Sequence, residues 1–334
     1  MKRGLVLVAL LALGCDDKSA TPPAGSAATA ASGAAPRSAA GSASKPAPPA
    51  ASASAAPSAP ASASTPLKKI RSAKLKSVAV TAEGYRGELV GGGTAQLIFA
   101  TKLAPLAPRA PSAHANLAAE VAPAVVAPTA LRMLSLKEVL AAADEKTRRK
   151  LGGELRVLAD GNVEATLVLL PAKRMVTLEI GRVLEGTRTH KWETELMSRP
   201  APSEPAALLA AYQQVLAVDA LCQNLRRIKV AVDDESKTVL ALEGNDTFSA
   251  AAADGSVGDP LPRLSRHVLF SRALDERIRK LDRARIEAAL QSPAGGLLVT
   301  PMQVDEVVQR RDALQRLFDR RIKSRGRDAT LALP

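Results

Sequence analysis

A glycine-rich stretch, residues 87–94, is the part of the sequence that comes nearest to a phosphate-binding loop. It has the outline of a Walker motif, but Gly93 stands where that motif has its lysine. Without this lysine the bound phosphates would lose the cation that contacts them. The stretch therefore predicts a tight turn between two strands and no nucleotide site.

Two short acidic runs contain residues that could bind a cation. One consists of Asp233, Asp234 and Glu235, and the other contains Asn245 and Asp246. Neither run has the ligand spacing of an EF-hand loop. The first run lies between two apolar stretches, so we predict a hairpin turn there and no metal site.

The histidines and the internal cysteine lack the neighbours that catalysis needs. His114, His190 and His267 are far apart in the chain, whereas a zinc site requires three or four clustered ligands. Cys222 lies on the apolar face of a predicted helix, and a nucleophilic thiol needs a base and a lowered pKa. We predict no catalytic residue, no metal and no cofactor. Cys222 is expected in the core, and Trp192 in the core or on a sheet surface.

The first fifteen residues indicate where the protein resides. Lys2 and Arg3 precede nine apolar residues, 5–13, and Gly14 and Cys15 follow. This is the charge and length of a signal peptide, and it is too short for a membrane span of about 20 residues. The small residue before the cysteine resembles the lipobox of bacterial lipoproteins. The resemblance implies cleavage after residue 14 and lipidation of Cys15; the alternative is an ordinary secretory signal that is cut near Gly14.

A lipidated Cys15 would anchor the protein to the inner or outer membrane of a cell envelope, with its body in the periplasm or outside. The next segment, residues 15–66, is almost entirely Ala, Ser, Pro, Gly and Thr after its first few positions. Such a segment cannot bury enough apolar surface to offset the entropy lost on ordering. We therefore predict a disordered tether between the anchor and the body.

The charge of the chain limits its partners. The net charge is +13, which would suit binding to nucleic acid, but the predicted signal peptide implies export and argues against that partner. Aromatic residues make up 2% of the chain, so bases would find few stacking surfaces. Five basic residues crowd the start of the body, and they indicate either a solvated junction or contact with an anionic membrane surface. These residues are Lys68, Lys69, Arg71, Lys74 and Lys76.

The body is predicted to be α+β, with an antiparallel β-meander packed against helices. It spans residues 67–246 and contains an Ala/Pro-rich loop at 104–128. Three strands are expected at 77–82, 85–90 and 94–101. A helix with a capping box at Ser135 and Glu138 follows, and after it come four strands of the meander. These strands are expected at 154–159, 162–170, 175–183 and 189–197, the first two joined by an Asp-Gly turn.

Helices dominate the rest of the predicted body. Residues 204–226 are apolar on most sides, which predicts a buried helix packed on the meander. A further hairpin is expected at 228–243. The final section, residues 262–326, is predicted to contain two charged helices, 272–291 and 301–324, the second with a capping box at Thr300. These helices either pack on their own domain or offer a surface for a protein partner or for self-association.

Three functional hypotheses follow from the sequence. The leading one is a non-catalytic envelope lipoprotein that binds or scaffolds. The second is an exported hydrolase whose residues converge only in the folded chain, for instance His190 or His267 with carboxylates in a pocket. The third is a module that binds an anionic membrane surface through the basic start of the body.

Overall fold

The computed structural model describes residues 64–180, 184–198, 202–225, 227, 229–242, 247–248, 260–293 and 295–334. The predicted signal peptide, Cys15 and almost all of the predicted tether lie outside these residues. The described residues begin with a five-stranded antiparallel sheet and its helices, and continue into a mainly helical part with a three-stranded sheet. The predicted α+β class, with a meander packed on helices and a helical C-terminal section, is confirmed.

The larger sheet has the strand order β1-β2-β3-β5-β4, and all neighbouring strands are antiparallel. Its strands are β1 (Leu75–Thr81), β2 (Gly84–Leu89), β3 (Thr94–Phe99), β4 (Thr129–Ser135) and β5 (Asn162–Leu169). Gly91, Gly92 and Gly93 join β2 to β3 with φ angles of 85°, 88° and 103°. L-residues with side chains rarely adopt such angles, and the predicted glycine turn is confirmed.

The two faces of this sheet have different coverings. Ala95, Leu97 and Phe99 of β3 point into a small apolar core. Three helices lie over that face: α1 (Ser64–Ser72), α3 (Leu136–Ala142) and α4 (Glu145–Glu154). Because side chains alternate along a strand, Gln96 and Ile98 lie on the opposite face, where they are half-buried.

A helix, α2 (Arg109–Val121), occupies the segment that was predicted to be a loop at 104–128. The prediction was wrong because it gave too much weight to the Ala/Pro composition. Alanine is the best helix former, and Pro111 lies in the first turn, where its missing N–H breaks no helical bond. Seven of the helix's residues are buried, so tertiary packing stabilises it on more than one side.

Three other predicted elements differ in the structure. The strand expected at 189–197 is a helix, α5 (Arg188–Met197), in which Thr189, Trp192 and Leu196 share a buried face at helical spacing. Residues 154–159 form no strand, and β5 pairs with β3 and β4 instead. The helix expected after Ser135 is the pair α3 and α4. The side chain of Ser135 makes no capping bond, whereas Asp144 caps α4 by accepting from Thr147 N at 2.7 Å.

The rest of the described chain surrounds α6 (Ala206–Leu221). Twelve residues of this helix are buried, which confirms the predicted buried helix. The smaller sheet has the order β6-β7-β8. The remaining elements are β6 (Val176–Glu179), β7 (Lys229–Asp233), β8 (Thr238–Leu240), α7 (Pro260–Arg266), α8 (Arg272–Lys280), α9 (Arg283–Ala289), α10 (Pro301–Arg325) and α11 (Arg327–Thr330).

The charged C-terminal helices pack on the same core as α6. The predicted helix 272–291 is the pair α8 and α9, and α10 begins with the predicted capping box of Thr300 and Gln303. Leu274, Leu314 and Phe318 belong to one apolar cluster with the side chains of α6. Among the described helices, none is both long enough and apolar enough to cross a membrane.

Candidate functional site

Helix α2 lies between the larger sheet and the helical part, and it contacts both. On the sheet side it packs over β4 and β5, where Ser112 Oγ lies 2.7 Å from Thr166 Oγ1. On the other side Leu117 and Ala118 enter the core that contains α6, α8 and α9. The helix therefore fixes the position of the sheet relative to the helical part.

An ion pair marks the start of α2. The Arg109 guanidinium donates to both carboxylate oxygens of Glu164 on β5, with Nε–Oε1 at 2.9 Å and Nη2–Oε2 at 3.2 Å. The Glu164 side chain is 10% exposed and that of Arg109 is 33% exposed. This bidentate geometry is the strong form of an arginine–carboxylate pair. It leaves Nη1 of Arg109 without a protein partner among the described residues.

A second charged cluster is buried where α2 meets the end of α6. Arg227 Nη2 donates to Asp219 Oδ1 at 2.9 Å, and it lies 3.2 Å from Nε2 of His114. Asn224 Nδ2 donates to the same carboxylate at 3.2 Å. All four side chains are more than nine-tenths buried. The cluster joins residues that are more than a hundred positions apart in the sequence.

The charges of this cluster follow from its burial. Desolvation lowers the pKa of His114, so the ring is neutral near pH 7. Burial raises the pKa of Asp219, but the neighbouring Arg227 charge and hydrogen bonds outweigh that effect and lower the pKa overall. Asp219 and Arg227 are therefore a buried ion pair beside a neutral histidine. Asn224 Oδ1 and Arg227 Nη1 have no hydrogen-bond partner in the described part of the chain.

The two residues Thr247 and Phe248 connect three elements next to this cluster. Phe248 N donates to Cys222 O at 2.7 Å, and Gln303 Nε2 of α10 donates to Phe248 O at 2.6 Å. Thr247 Oγ1 donates to Ala110 O of α2 at 3.2 Å. Both residues are buried.

A cavity of about 330 Å³ adjoins these contacts. It is lined by apolar side chains and a few polar ones. Its walls are formed by Leu106, Arg109, Ala110, Thr247, Phe248, Leu297, Leu298, Val299, Thr300 and Gln303. Cavities of this size are large enough for part of a small ligand.

The half of the sheet face that α2 does not pack over is more open. It is formed by β1, β2 and β3, on the face opposite the small core. Gln96 pairs in register with Arg86 of β2, and Ile98 pairs with Thr166 of β5. Ala79 and Arg86 are exposed, and Gln96 and Ile98 are half-buried. We call these four residues the open sheet face.

A third polar network is enclosed in the helical part and was not foreseen from the sequence. Glu193 accepts from Arg263 Nη2 at 2.7 Å and from Tyr212 Oη at 2.5 Å, and it lies 3.0 Å from His267 Nε2. Burial raises the pKa of Glu193, but the His267 hydrogen bond, the charges of His267 and Arg263 and the Tyr212 hydrogen bond bring the pKa to about 2. His267 is fully buried, so this pairing of histidine and carboxylate does not form the substrate pocket of the hydrolase hypothesis.

The basic residues at the start of the body lie on α1, at the beginning of β1 and, for Lys74, between the two. Lys69 Nζ donates to Gly91 O at 2.8 Å, and Lys76 Nζ pairs with Glu88 at 3.1 Å. Lys68, Arg71 and Lys74 are exposed. The contact of these five residues with an anionic surface stays a prediction, and so does the lipidation of Cys15.

The other residues singled out in the sequence have structural roles. Asp233 Oδ1 accepts from Glu235 N at 3.0 Å inside the β7–β8 turn, which confirms the hairpin. Cys222 and Trp192 are fully buried. Among the described residues, no group of three or more His, Cys, Asp or Glu side chains could hold a metal ion.

The fold is similar to those of solved Fam20 and Golgi casein kinase structures. A hydra Fam20 structure with sugar has a TM-score of 0.58 at 16% identity, over 79% of this chain and 90% of that chain. A Golgi casein kinase with Mn and ADP bound has a TM-score of 0.57 at 10% identity, over 80% and 78%. Another Golgi casein kinase structure has a TM-score of 0.59 at 11% identity, over 82% and 78%. No family model matches the chain, and neither does any curated protein.

These similarities overturn the leading functional hypothesis. A non-catalytic envelope lipoprotein that binds or scaffolds was predicted because no chemical motif stood out, but the fold is that of Fam20 and Golgi casein kinase structures. The signal that could have found this fold is the order of three strands, a helix and two strands before the helical part. It was missed because residues 109–121 were taken for a loop.

Proposed function

We propose that this chain is a kinase-like enzyme that binds a nucleoside phosphate together with a divalent metal ion and transfers a phosphoryl group to a hydroxyl. The observation that carries the proposal is the similarity to a Golgi casein kinase with Mn and ADP bound, which covers 80% of this chain and 78% of that one. A similarity over four-fifths of the chain is not limited to one common motif.

The open sheet face is the place we propose for the nucleoside. It combines apolar Ile98 and Ala79 with polar Gln96 on the half of the sheet that α2 leaves open. In protein kinases a lysine on β3 contacts the nucleotide phosphates and pairs with a glutamate on helix αC. In this chain the helix that follows β3 is α2.

Metal ligands would come from the segment after β8. Glu243, Asn245 and Asp246 follow that strand directly in the sequence and lie outside the described residues. Carboxylate and amide oxygens are the ligands that Mn²⁺ and Mg²⁺ take, and protein kinases hold their metal ions with the Asp of the DFG sequence and an Asn of the catalytic loop. The metal would neutralise phosphate charge when it is bound.

Two features depart from the general kinase pattern. Protein kinases carry a lysine on β3 and a glycine-rich connection between β1 and β2. Here β3 contains no lysine, and Gly84 is the single glycine at the β1–β2 turn. Because the usual phosphate cation is missing from β3, we expect phosphoryl transfer to be slow relative to typical kinases.

Nucleotide binding is the first test. Titration calorimetry of the purified protein with ADP or ATP, each with Mn²⁺ or Mg²⁺, should give saturable binding at one site. Transfer is then measured with γ-labelled ATP on dephosphorylated casein as a model hydroxyl acceptor. The absence of saturable binding of either nucleotide with either metal would overturn the proposal.

A variant on the open sheet face localises the site. Ile98→Glu should abolish nucleotide binding, because it places a charge where the base would lie. Val176→Glu, on the exposed strand β6, is the matched control and should bind as the native protein does. Equal binding by native protein and Ile98→Glu would exclude this face as the nucleotide site.

A further inference from the structure

Arg109 and Glu164 form an ion pair whose charges are reversed relative to the pair that kinases use. In protein kinases a lysine on β3 pairs with a glutamate on the following helix, and the lysine contacts phosphate. Here the cation lies on the helix and the anion on a strand. The backbone places the pair beside the end of β3, because Ala100 N donates to Glu164 O at 2.8 Å.

From this geometry we infer that Arg109 is the residue of this chain that contacts the phosphates of a bound nucleotide, in place of the lysine that β3 lacks. The inference rests on the function proposed above and adds to it the group that recognises the phosphates.

The position of Arg109 suits this role. Its side chain is one-third exposed, and its Nη1 group donates to no described residue, so the guanidinium can bind a second anion while it holds Glu164. Arginine presents several donors in one plane, which suits phosphate oxygens. It also lines the 330 Å³ cavity, together with Thr247.

Glu164 positions the arginine. Its carboxylate is nine-tenths buried and it holds both Nε and Nη2, which fixes the plane of the guanidinium and directs Nη1 away from the pair. Thr166, two residues further along β5 on the same face, accepts or donates a hydrogen bond with Ser112 of α2. The start of α2 is therefore held on the sheet at two points, and Arg109 has little freedom to leave its place.

The test compares a nucleotide with a nucleoside. Arg109→Gln should weaken the binding of Mn·ADP at least tenfold and leave the binding of adenosine unchanged, because adenosine has no phosphates. Arg109→Lys should retain part of the ADP affinity. Arg149→Gln, which removes an equally positive but remote surface charge on α4, should bind both ligands as the native protein does.

A double variant guards against simple unfolding. Arg109→Gln alone leaves the buried Glu164 unpaired, whereas Arg109→Gln with Glu164→Gln keeps the pair neutral and hydrogen-bonded. Suppose that the double variant has the same melting temperature as the native protein and binds Mn·ADP as tightly. The inference about Arg109 is then wrong, and the proposed function stands. If the native protein binds neither adenosine nor ADP, the proposed function fails and this inference fails with it.

Discussion

At the residue scale, the described part of the protein depends on charged groups that are largely shielded from water. Asp219 with Arg227, and Glu193 with Arg263 and Tyr212, are enclosed among apolar side chains. Removing one partner from such a pair leaves an uncompensated buried charge, which typically costs about 3–5 kcal/mol. These residues therefore hold the helices in place.

Because of Glu193, the stability of the protein should decrease at low pH. Its pKa is lowered from 4.5 to about 2 in the folded state, so its stabilising contribution is present above pH 4.5 and is lost as the pH falls towards 2. A shift of this size corresponds to about 3 kcal/mol. The free energy of unfolding is measured with urea for native protein and Glu193→Gln at pH 7, 4.5 and 3. Below pH 4.5 it should fall more steeply for the native protein.

The control for this measurement is Glu235→Gln, which changes an exposed carboxylate on the β7–β8 turn. It should follow the native curve. His114 should cause a separate loss of stability at milder acidity. Its pKa is lowered in the folded state, so the unfolded chain takes up a proton at a higher pH than the folded chain does, and this favours unfolding as the pH falls through the usual histidine range. Parallel curves for native protein and Glu193→Gln below pH 4.5 would contradict the assignment.

At the element scale, α2 and α10 meet at the segment that follows β8. The start of α2 accepts from Thr247, and the first turn of α10 reaches Phe248 through Gln303. Gln303 has a second role, because its Oε1 accepts from Thr300 N at 2.8 Å in the capping box. One side chain thus caps the long helix and fixes the buried segment beside the candidate site.

Loss of the cap should destabilise α10 measurably. Thr300→Ala removes the side chain that accepts from Gln303 N at 3.3 Å, and the expected cost is about 1 kcal/mol. Thr300→Ser keeps the hydroxyl and should cost much less. Chemical denaturation of the three proteins measures the difference; equal stability of Thr300→Ala and native protein would show that the cap contributes nothing.

At the scale of the whole molecule, the described chain contains two apolar cores that α2 joins. One core lies under the sheet and the other surrounds α6. Helix α2 contributes Leu117 to the second core, and it is held to the sheet by Arg109 and Ser112. Because these bonds link both cores to one rigid helix, the two should unfold together.

Leu117→Ala tests this cooperativity. The substitution should cost about 2–5 kcal/mol, as large-to-small changes in a core do. If the cores are coupled, the fluorescence of Trp192 in the helical part and hydrogen exchange of the β5 amides should report the same loss of stability. Leu103→Ala, at a side chain that is 98% exposed, should change neither signal. Protection of β5 that is unaffected by Leu117→Ala would show that the cores unfold independently.

The sequence by itself determined the features that depend on neighbouring residues. The glycine turn at 91–93, the β7–β8 hairpin, the burial of α6 and the cap at Thr300 all follow from local backbone chemistry or local periodicity. The α+β class follows from the same signals. These predictions succeeded because every group that decides them lies within a few positions of the others in the chain.

The tertiary structure alone decided which distant groups meet. Helix α2 forms in an Ala/Pro-rich segment because the sheet and α6 bury it from two sides, and α5 forms where a strand was predicted. The approach of His114 to Asp219 and of Arg109 to Glu164 spans 105 and 55 positions, and no local pattern records it. Strand pairing and buried ion pairs are contacts between segments that are remote in sequence, so the similarity of the fold to the Fam20 and Golgi casein kinase structures became visible only when those segments were placed together.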